Sequence, residues 1–457
     1  MTTAAEMAEF AVTTSFDDLS EEVVDGTKKR LLDSIAIAAG AIGAEPVEIL
    51  RETVHELDQD GTTSIWGSAE TTSPPLATAL NGGMVRYLDF MDAYLLSGEV
   101  PHPSNNVAPS VVAAEYTDAS GKELIRSIGI AYEIHYQLGK NAPLMDRGWD
   151  HGTYVCFASA AGTGVLFDLS EEALRNAIGI AGAGHNALRV TRTGDITMWK
   201  GLSASNAGRN AMYATMLANN GMEGPTDVFE GQKGWKQIIS GEFEADYTAC
   251  EAVTETMTKK YMAGTVAQTQ LDGLEELLDR EGIDGEEIAR IDVDTYKRAK
   301  VIMGGTGKEG ESGNRHKVDN REQADHSLPY TMAVLALDGE LGDDQYELDR
   351  IRADDVQDLL KRIHIHEDPE LTERYENGEM PAVIRVETND GTVHEIEKPY
   401  FEGHPATPVS WEHLGEKFAL LAEGVYTTER QEEIVRVVRN LEEYDAQDLV
   451  DVLTVEE

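Results

Sequence analysis

Cysteine is scarce in this chain of 457 residues, and its two cysteines, Cys156 and Cys250, lie far apart. Neither belongs to a C-x-x-C spacing, so the sequence predicts no disulfide framework and no structural zinc site. Three thiolate ligands are also lacking, which excludes an iron–sulfur enzyme. The chain has no phosphate-loop or dinucleotide-binding glycine motif and no G-x-S-x-G elbow, so nothing supports a nucleotide-binding protein or a serine hydrolase.

Long apolar runs are missing as well. Residues 152–167, the longest uncharged stretch near the middle, are too few and too rich in glycine and alanine to span a bilayer. The first sixteen residues carry Glu6 and Glu9 and no basic segment, so they do not resemble a signal peptide. We therefore expect a cytoplasmic protein with no membrane partner.

Positive charge is in short supply. The chain has 38 Lys and Arg against 84 Asp and Glu, a net charge of −46 spread over its whole length. Such a chain repels itself in dilute buffer, whereas in molar salt the Debye length falls to about 3 Å and screens the repulsion. This composition indicates a halophilic protein, and it excludes a nucleic-acid partner, which requires a basic surface.

Helix signals dominate both ends of the chain. Ser20 and Ser170 each precede two glutamates and an apolar periodic stretch, a pattern typical of N-caps. The glycine- and alanine-rich region 158–184 predicts closely packed helices. Near the other end, Thr428 and Gln431 have the spacing of a capping box before another amphipathic helix.

Strand signals are confined to the region between these ends. Apolar and polar residues alternate at 291–295 and 362–366, and Asn389, Asp390 and Gly391 separate two alternating runs, which predicts a hairpin. The sequence thus predicts a mostly α fold, with a large all-helical domain (1–259 and 405–457) and a smaller inserted α+β domain (260–404). The glycine-rich stretch 304–320 is predicted to be a mobile loop.

Carboxylates and a constrained histidine mark a first candidate site segment. Asp89 and Asp92 have the spacing that places two side chains on one face of a helical turn. His102 lies between two prolines, which restrict its backbone and suit a pre-positioned side chain. By itself, however, such a pair is usually a surface pair and such a histidine usually belongs to a turn.

A basic island is the second signal. Arg189, Arg192, Lys200 and Arg209 share their stretch of sequence with a single acidic residue, Asp195. Four cations against one carboxylate, in a chain of net charge −46, are not expected on a solvated face. An anionic substrate would need such a region, because it must otherwise enter a strongly negative field.

Other histidines give weaker signals. His151 follows Trp149 and Asp150 in a predicted loop, and His326 and Tyr330 flank a helix start at which a polar entry alone would be unremarkable. His364 and His366 share one face of a predicted strand, and without a third ligand we interpret them as solvent-facing rather than metal-binding.

Together these segments resemble the MmgE/PrpD family, whose activities include 2-methylcitrate dehydratase and cis-aconitate decarboxylase. The resemblance extends from Leu31 to Phe418. Its matching pieces, in order, are Leu88-Asp89-Phe90 with His102-Pro103-Ser104, Trp199-Lys200-Gly201, Ala267-Gln268-Thr269, Asp325-His326-Ser327 with Tyr330, Asn389-Asp390-Gly391 and Gly403-His404-Pro405.

The resemblance implies a homodimer that needs no metal and no cofactor and acts on a small polycarboxylate. It places catalytic residues at Asp89, His102, His151, Lys200 and Tyr330. Substrate-binding positions are expected at Asp92, Ser104, Arg192, Gln268 and His326.

Three departures from the family pattern bear on the substrate. Ala93 stands where a hydroxyl residue is usual, the span from Asp89 to His102 is longer, and Met262 replaces a proline. Gln268 resembles the methylcitrate dehydratase branch, since the decarboxylase branch tends to have histidine there.

The predicted function is therefore a hydro-lyase that removes water from a citrate-like acid, converting 2-methylcitrate to 2-methylaconitate in the 2-methylcitrate cycle of propionate metabolism. His102 or Asp89 would act as base, and His151 or Tyr330 as proton donor to the leaving hydroxyl. The alternatives are another reaction of the family, decarboxylation or epimerisation, and a catalytically idle relative that only binds an anion.

Overall fold

A computed structural model describes residues 1–58, 60–96, 99–193, 197–305 and 314–455. They form two compact units, Met1–Met257 with Ser410–Glu457, and Thr258–Val409. The divisions fall close to, but not at, the predicted 259/260 and 404/405. Of the predicted mobile loop at 304–320, residues 306–313 lie outside the described part of the chain.

The first part of the larger unit is mostly helical, as predicted. Ser20 accepts a hydrogen bond from Val23 N at 3.2 Å and Ser170 one from Ala173 N at 3.3 Å, which confirms both N-caps. The helices are α1 (Thr3–Thr13), α2 (Glu21–Gly40), α3 (Glu45–Leu57), α4 (Pro74–Tyr87), α5 (Val107–Tyr116), α6 (Gly121–Asn141), α7 (Gly152–Leu166), α8 (Glu171–Gly184) and α9 (Trp199–Asn219).

The larger unit is not all-helical, which corrects the prediction. Strands β1 (Thr63–Ser64) and β2 (Thr71–Thr72) form a short antiparallel ribbon. With two residues each, these strands are too short for an alternating apolar pattern to reveal them.

Helix α7 lies in the core of this unit and packs against α6, α8 and α9, while α9 also packs against α4. Small residues permit these close contacts, as predicted for region 158–184. A Cβ atom on Gly182 would lie 2.1 Å from Phe157 Cε1. The packing brings together the end of α4 and the beginnings of α5, α7 and α9.

The smaller unit contains a four-stranded sheet of order β4-β3-β5-β6. Strand β3 (Ile288–Thr295) is parallel to β4 (Ile363–Glu367) and antiparallel to β5 (Ala382–Thr388), and β5 forms the predicted hairpin with β6 (Val393–Lys398). On β4, His364 and His366 alternate with buried isoleucines, as predicted. The helices of this unit are α10 (Gln268–Glu281), α11 (Lys297–Ala299), α12 (Arg321–Ala324), α13 (Leu328–Asp338), α14 (Leu348–Ile351), α15 (Asp354–Leu359) and α16 (Pro369–Glu376).

The chain then returns to the larger unit with helices α17 (Trp411–Leu421), α18 (Thr428–Arg439) and α19 (Ala446–Leu453). The N-cap of α18 is Thr427, which accepts from Arg430 N at 3.3 Å, so the predicted capping box of Thr428 and Gln431 was wrong. Gln431 Nε2 instead donates to Tyr426 O at 3.0 Å. None of the described helices is long and apolar enough to cross a membrane.

The net charge of −46 leads to a prediction about salt. We expect the fold to require roughly molar salt, because uncompensated negative charges repel each other at low ionic strength. Circular dichroism before and after dialysis from molar KCl into millimolar buffer measures the effect. A chain that keeps its full helical signal and its melting point after dialysis would contradict the prediction.

Candidate active site

An ion cluster joins the end of α4 to the first turn of α9. The Asp89 carboxylate lies between two cations, with Oδ1 3.1 Å from Arg86 Nη1 and Oδ2 3.3 Å from Lys200 Nζ. Asp89 follows α4 in the left-handed region, at a φ of 54°, which aspartate tolerates better than most residues. The predicted helical turn carrying Asp89 and Asp92 on one face is therefore wrong.

Close packing positions Lys200 beside Asp89. A Cβ atom on Gly201 would lie 3.1 Å from Tyr87 Cδ2, so glycine at 201 lets the beginning of α9 approach the end of α4 without displacing the Tyr87 ring by a few tenths of an ångström. Lys200 lies in the first turn of α9, where the unpaired backbone N–H groups also favour negative charge.

His102 is held in one tautomer by the backbone. Its Nδ1 lies 2.7 Å from the carbonyl oxygen of Asp92. A carbonyl can only accept, so Nδ1 donates its hydrogen and Nε2 of the neutral ring carries the lone pair. The Asp92 side chain supports the same segment, because its oxygens accept from Ser104 N at 3.0 Å and from Tyr132 Oη at 2.8 Å.

Asp92 was predicted to bind substrate, but its carboxylate is fully buried and both oxygens already accept from the protein. Burial raises its pKa, and the nearby Arg30 guanidinium partly offsets this effect. The geometry supports a positioning role for Asp92 behind His102. Ser104, also predicted to bind substrate, is buried, and its Oγ has no hydrogen-bond partner among the described residues.

His151 lies at the beginning of α7, and its ring meets that of His102 edge to face, with centroids 5.1 Å apart. Burial lowers the pKa of His151 well below its usual value, and the charges of Arg192 and Arg86 lower it further. The imidazole is therefore neutral at physiological pH. Its Nδ1 is enclosed and bonds to no group in the described part of the chain.

The basic island meets a buried carboxylate. Asp150 Oδ2 lies 2.5 Å from Arg192 Nε and 3.9 Å from Arg189 Nη1. Burial alone would raise the pKa of Asp150, but Arg192 and the backbone N–H of Gly152 hold it below its usual value. Asp195, the acidic residue of the island, lies outside the described residues.

These groups form one electrostatic site in the larger unit. Two carboxylates, Asp89 and Asp150, face four cations, Arg86, Arg189, Arg192 and Lys200. Three of these cations, Arg86, Arg189 and Arg192, act on the His151 imidazole, which contacts the His102 ring. The cations are mostly shielded from water, and electrostatic interactions are stronger there than at an open surface. The arrangement suits an anion that is to lose or gain a proton.

A further histidine behind the site leads to a prediction about pH. His135 on α6 is fully buried, and its Nδ1 accepts from Asn106 Nδ2 at 2.9 Å. Burial lowers its pKa from 6.5 to about 3. Between these values the unfolded chain binds a proton that the folded chain does not, so stability falls as pH decreases, by about 1.4 kcal/mol per pH unit from this group.

We expect His135→Gln to reduce the dependence of unfolding free energy on pH by that slope between pH 6.5 and 4.5. Urea unfolding of both proteins at several pH values in high salt measures it. His366→Gln, which changes an exposed histidine, serves as a matched control. Equal slopes for the wild type and His135→Gln would show that His135 is protonated in the folded state.

The smaller unit holds the other predicted site residues. The Tyr330 hydroxyl is buried and donates to Gln345 O, and burial raises its pKa. Gln268 Oε1 accepts from Lys260 N at 2.9 Å and from Tyr261 N at 3.0 Å, so this side chain stabilises the backbone of the segment at Lys260 and Tyr261. These bonds favour structural roles for Tyr330 and Gln268 over the predicted catalysis and substrate binding. His326 is half-buried and bonds Asp325 through Nδ1 at 2.5 Å.

Arg86 and Asp150 were not among the site residues predicted from the sequence. Arg86 is the single charged residue of α4, a helix that is otherwise apolar, small or uncharged. A lone cation in such a helix is a signal that could have revealed it. Asp150 could have been suspected from its place beside His151.

Two family models together match most of the chain. The MmgE/PrpD N-terminal domain model matches residues 5–248, and the MmgE/PrpD C-terminal domain model matches residues 261–443. The chain belongs to the MmgE/PrpD family, which confirms the resemblance inferred from its motifs.

Relatives include enzymes named for two reactions. Cis-aconitate decarboxylase of Mus musculus is 22% identical over 443 residues, which cover 93% of this chain and 88% of the relative. The 2-methylcitrate dehydratase of Escherichia coli K12 is 26% identical over 389 residues, covering 79% and 78%. That of Cupriavidus necator is 28% identical over 359 residues, covering 72% and 71%.

Proposed function

We propose that this chain is a lyase that removes water from a small citrate-like polycarboxylate, converting 2-methylcitrate to 2-methylaconitate. The observation that carries the proposal is the cluster of four cations around Asp89, Asp150 and the paired rings of His102 and His151. Removing water from such an acid requires a base for a carbon-bound proton, cations for the developing charge and a group to assist the leaving hydroxyl.

His102 is the base in this proposal. Its Nε2 carries the lone pair because Nδ1 donates to the Asp92 carbonyl. Asp89, the other candidate from the sequence, has one cation on each carboxylate oxygen, which makes it the poorer acceptor of a proton. Asp89 instead holds the Lys200 ammonium in place.

The cations stabilise the charge that forms as the proton leaves. Negative charge then spreads from the substrate carbon onto the adjacent carboxylate. Lys200 lies beside Asp89 at the beginning of α9, and Arg192 shares the same basic cluster. Their side chains are mostly covered, so their positive charge is less screened than it would be at an open surface.

His151 assists the leaving hydroxyl. Its lowered pKa keeps the ring neutral, and a neutral imidazole still donates one N–H. His151 can therefore donate a hydrogen bond to the leaving hydroxyl oxygen. The proton that His102 took from carbon is then transferred to this oxygen, which leaves as water. Tyr330, the other donor candidate, already donates to Gln345 O, and we assign it no proton transfer.

A panel of acids in molar KCl tests the proposal. We expect 2-methylcitrate to give rising double-bond absorbance without release of CO₂, and Lys200→Ala to abolish most of that signal. EDTA in a parallel assay tests the expectation that no metal is needed. If no acid of the panel is turned over, the chain is not a lyase of this class.

Decarboxylation of cis-aconitate is the second candidate, favoured by the extent of the match. The mouse decarboxylase aligns with 93% of this chain, whereas the Escherichia coli dehydratase aligns with 79%. Release of CO₂ from cis-aconitate, measured in the same panel, would favour it. Binding of the acids without any reaction would instead identify an idle anion-binding relative. The expected homodimer and cytoplasmic location remain predictions, and light scattering measures the former.

A further inference from the structure

Arg86 is a buried cation in the candidate active site. It lies in the last turn of α4, and only 1% of its surface is exposed. Its Nη1 donates to Asp89 Oδ1 at 3.1 Å and contacts Met91 Sδ at 3.9 Å. Arg86 therefore shares Asp89 with Lys200, the residue to which we assign stabilisation of the developing charge.

Part of this guanidinium has no partner within the described ranges. Nε is enclosed and makes no hydrogen bond, and no described residue accepts from Nη2. An enclosed guanidinium N–H without an acceptor is costly, and in functional sites such groups are commonly satisfied by a ligand. Burial also lowers the pKa of Arg86, an effect that a bound anion would offset.

The unused edge has the geometry of a carboxylate site. Nε–H and Nη2–H point in parallel from one side of the planar guanidinium, and their spacing matches the two oxygens of a carboxylate. Two other enclosed atoms of the site, His151 Nδ1 and Ser104 Oγ, also have no hydrogen-bond partner in the described structure. The site thus offers several unsatisfied polar groups beside an excess of positive charge.

We propose that Arg86 binds one carboxylate of the substrate through Nε and Nη2, and so determines specificity for acids with a carboxylate at that position. The inference rests on the proposed function in one respect, that the ligand is a polycarboxylate. Nη1 remains on Asp89, so one guanidinium both recognises the substrate and holds the carboxylate that orients Lys200.

Calorimetry with unreactive acids tests the proposal. Tricarballylate has three carboxylates and no hydroxyl to lose. Glutarate lacks its central carboxylate and methylsuccinate lacks one terminal carboxylate. Arg86→Lys keeps the positive charge but cannot make the bidentate hydrogen bonds. We expect it to weaken tricarballylate binding about 10- to 100-fold.

The three ligands identify the carboxylate that Arg86 binds. In the wild type, the ligand that lacks this carboxylate should bind about 10- to 100-fold more weakly than tricarballylate. In Arg86→Lys, that ligand and tricarballylate should bind with nearly equal affinity. Arg126→Lys is the matched control, because Arg126 is half-buried and, among the described residues, donates only to the backbone oxygens Thr14 O and Ala11 O. Its affinities should equal those of the wild type.

The proposal is overturned if Arg86→Lys binds tricarballylate with an affinity within threefold of the wild type. It is also overturned if the loss of affinity from tricarballylate to glutarate, and from tricarballylate to methylsuccinate, is the same in Arg86→Lys as in the wild type. Arg86→Gln replaces Arg86→Lys if the melting curve shows that the lysine variant does not fold. Binding requires no turnover, so the outcome is separate from the proposed reaction. If the binding differences depend on Arg86 as expected but no acid is turned over, the carboxylate site stands and the proposed lyase activity is refuted.

Discussion

Replacing His102 by asparagine is expected to lower kcat for the turned-over acid by about 10²–10⁴, the usual contribution of a general base. Asparagine can still donate from Nδ2 to the Asp92 carbonyl, so the segment that carries residue 102 should keep its conformation. What it lacks is the lone pair of Nε2. We therefore expect a loss of kcat with little change in KM or in melting temperature.

The matched control for His102→Asn is His366→Asn, which changes an exposed histidine in the smaller unit. Steady-state kinetics of both variants, with melting curves, separate loss of the base from loss of the fold. A kcat for His102→Asn within threefold of the wild type would move the base to Asp89. A fall in kcat accompanied by a lower melting temperature would instead assign His102 to structure.

Replacing Lys200 by alanine is expected to lower kcat by about 10²–10³, the range for loss of one donor to the transition state. Asp89 would keep Arg86 as a partner, so the fold should remain nearly unchanged. Lys200→Arg should restore little activity, because the larger planar guanidinium cannot occupy the position of the compact ammonium.

Kinetics on both Lys200 variants distinguish catalysis from binding. If only KM rises in Lys200→Ala, the lysine binds substrate and transition state equally. Catalysis would then depend on His102 and His151. A kcat near that of the wild type would show that Lys200 takes no part in the reaction. Arg436→Ala, which changes an exposed arginine on α18, controls for the general effect of removing a positive charge.

Local signals in the sequence predicted much of the fold. The caps at Ser20 and Ser170 and the hairpin around Asn389 were confirmed, because a cap or a tight turn depends on neighbouring residues alone. The capping box at Thr428 was placed one residue late, since two successive threonines compete for the same N-cap.

The geometry at the site depends on contacts that the sequence does not display. A helical continuation from Tyr87 would have placed Asp89 and Asp92 side by side, but α4 ends there and Asp89 turns into the left-handed region. The basic island was visible because charge composition is local. The lone cation of α4 could have drawn attention to Arg86, but its pairing with Asp89 and its N–H groups without a described acceptor are properties of the folded chain.

The beginnings of α5, α7 and α9, together with the end of α4, supply the site from segments spread over more than a hundred residues of the chain. No single helix carries the whole site, so the site assembles only when these helices dock. Activity should consequently be more fragile than the fold, because undocking of any one helix separates base from cation while most of the core persists. In a denaturant titration, loss of turnover would then precede loss of helical structure, which makes catalysis a sensitive measure of helix docking in this unit.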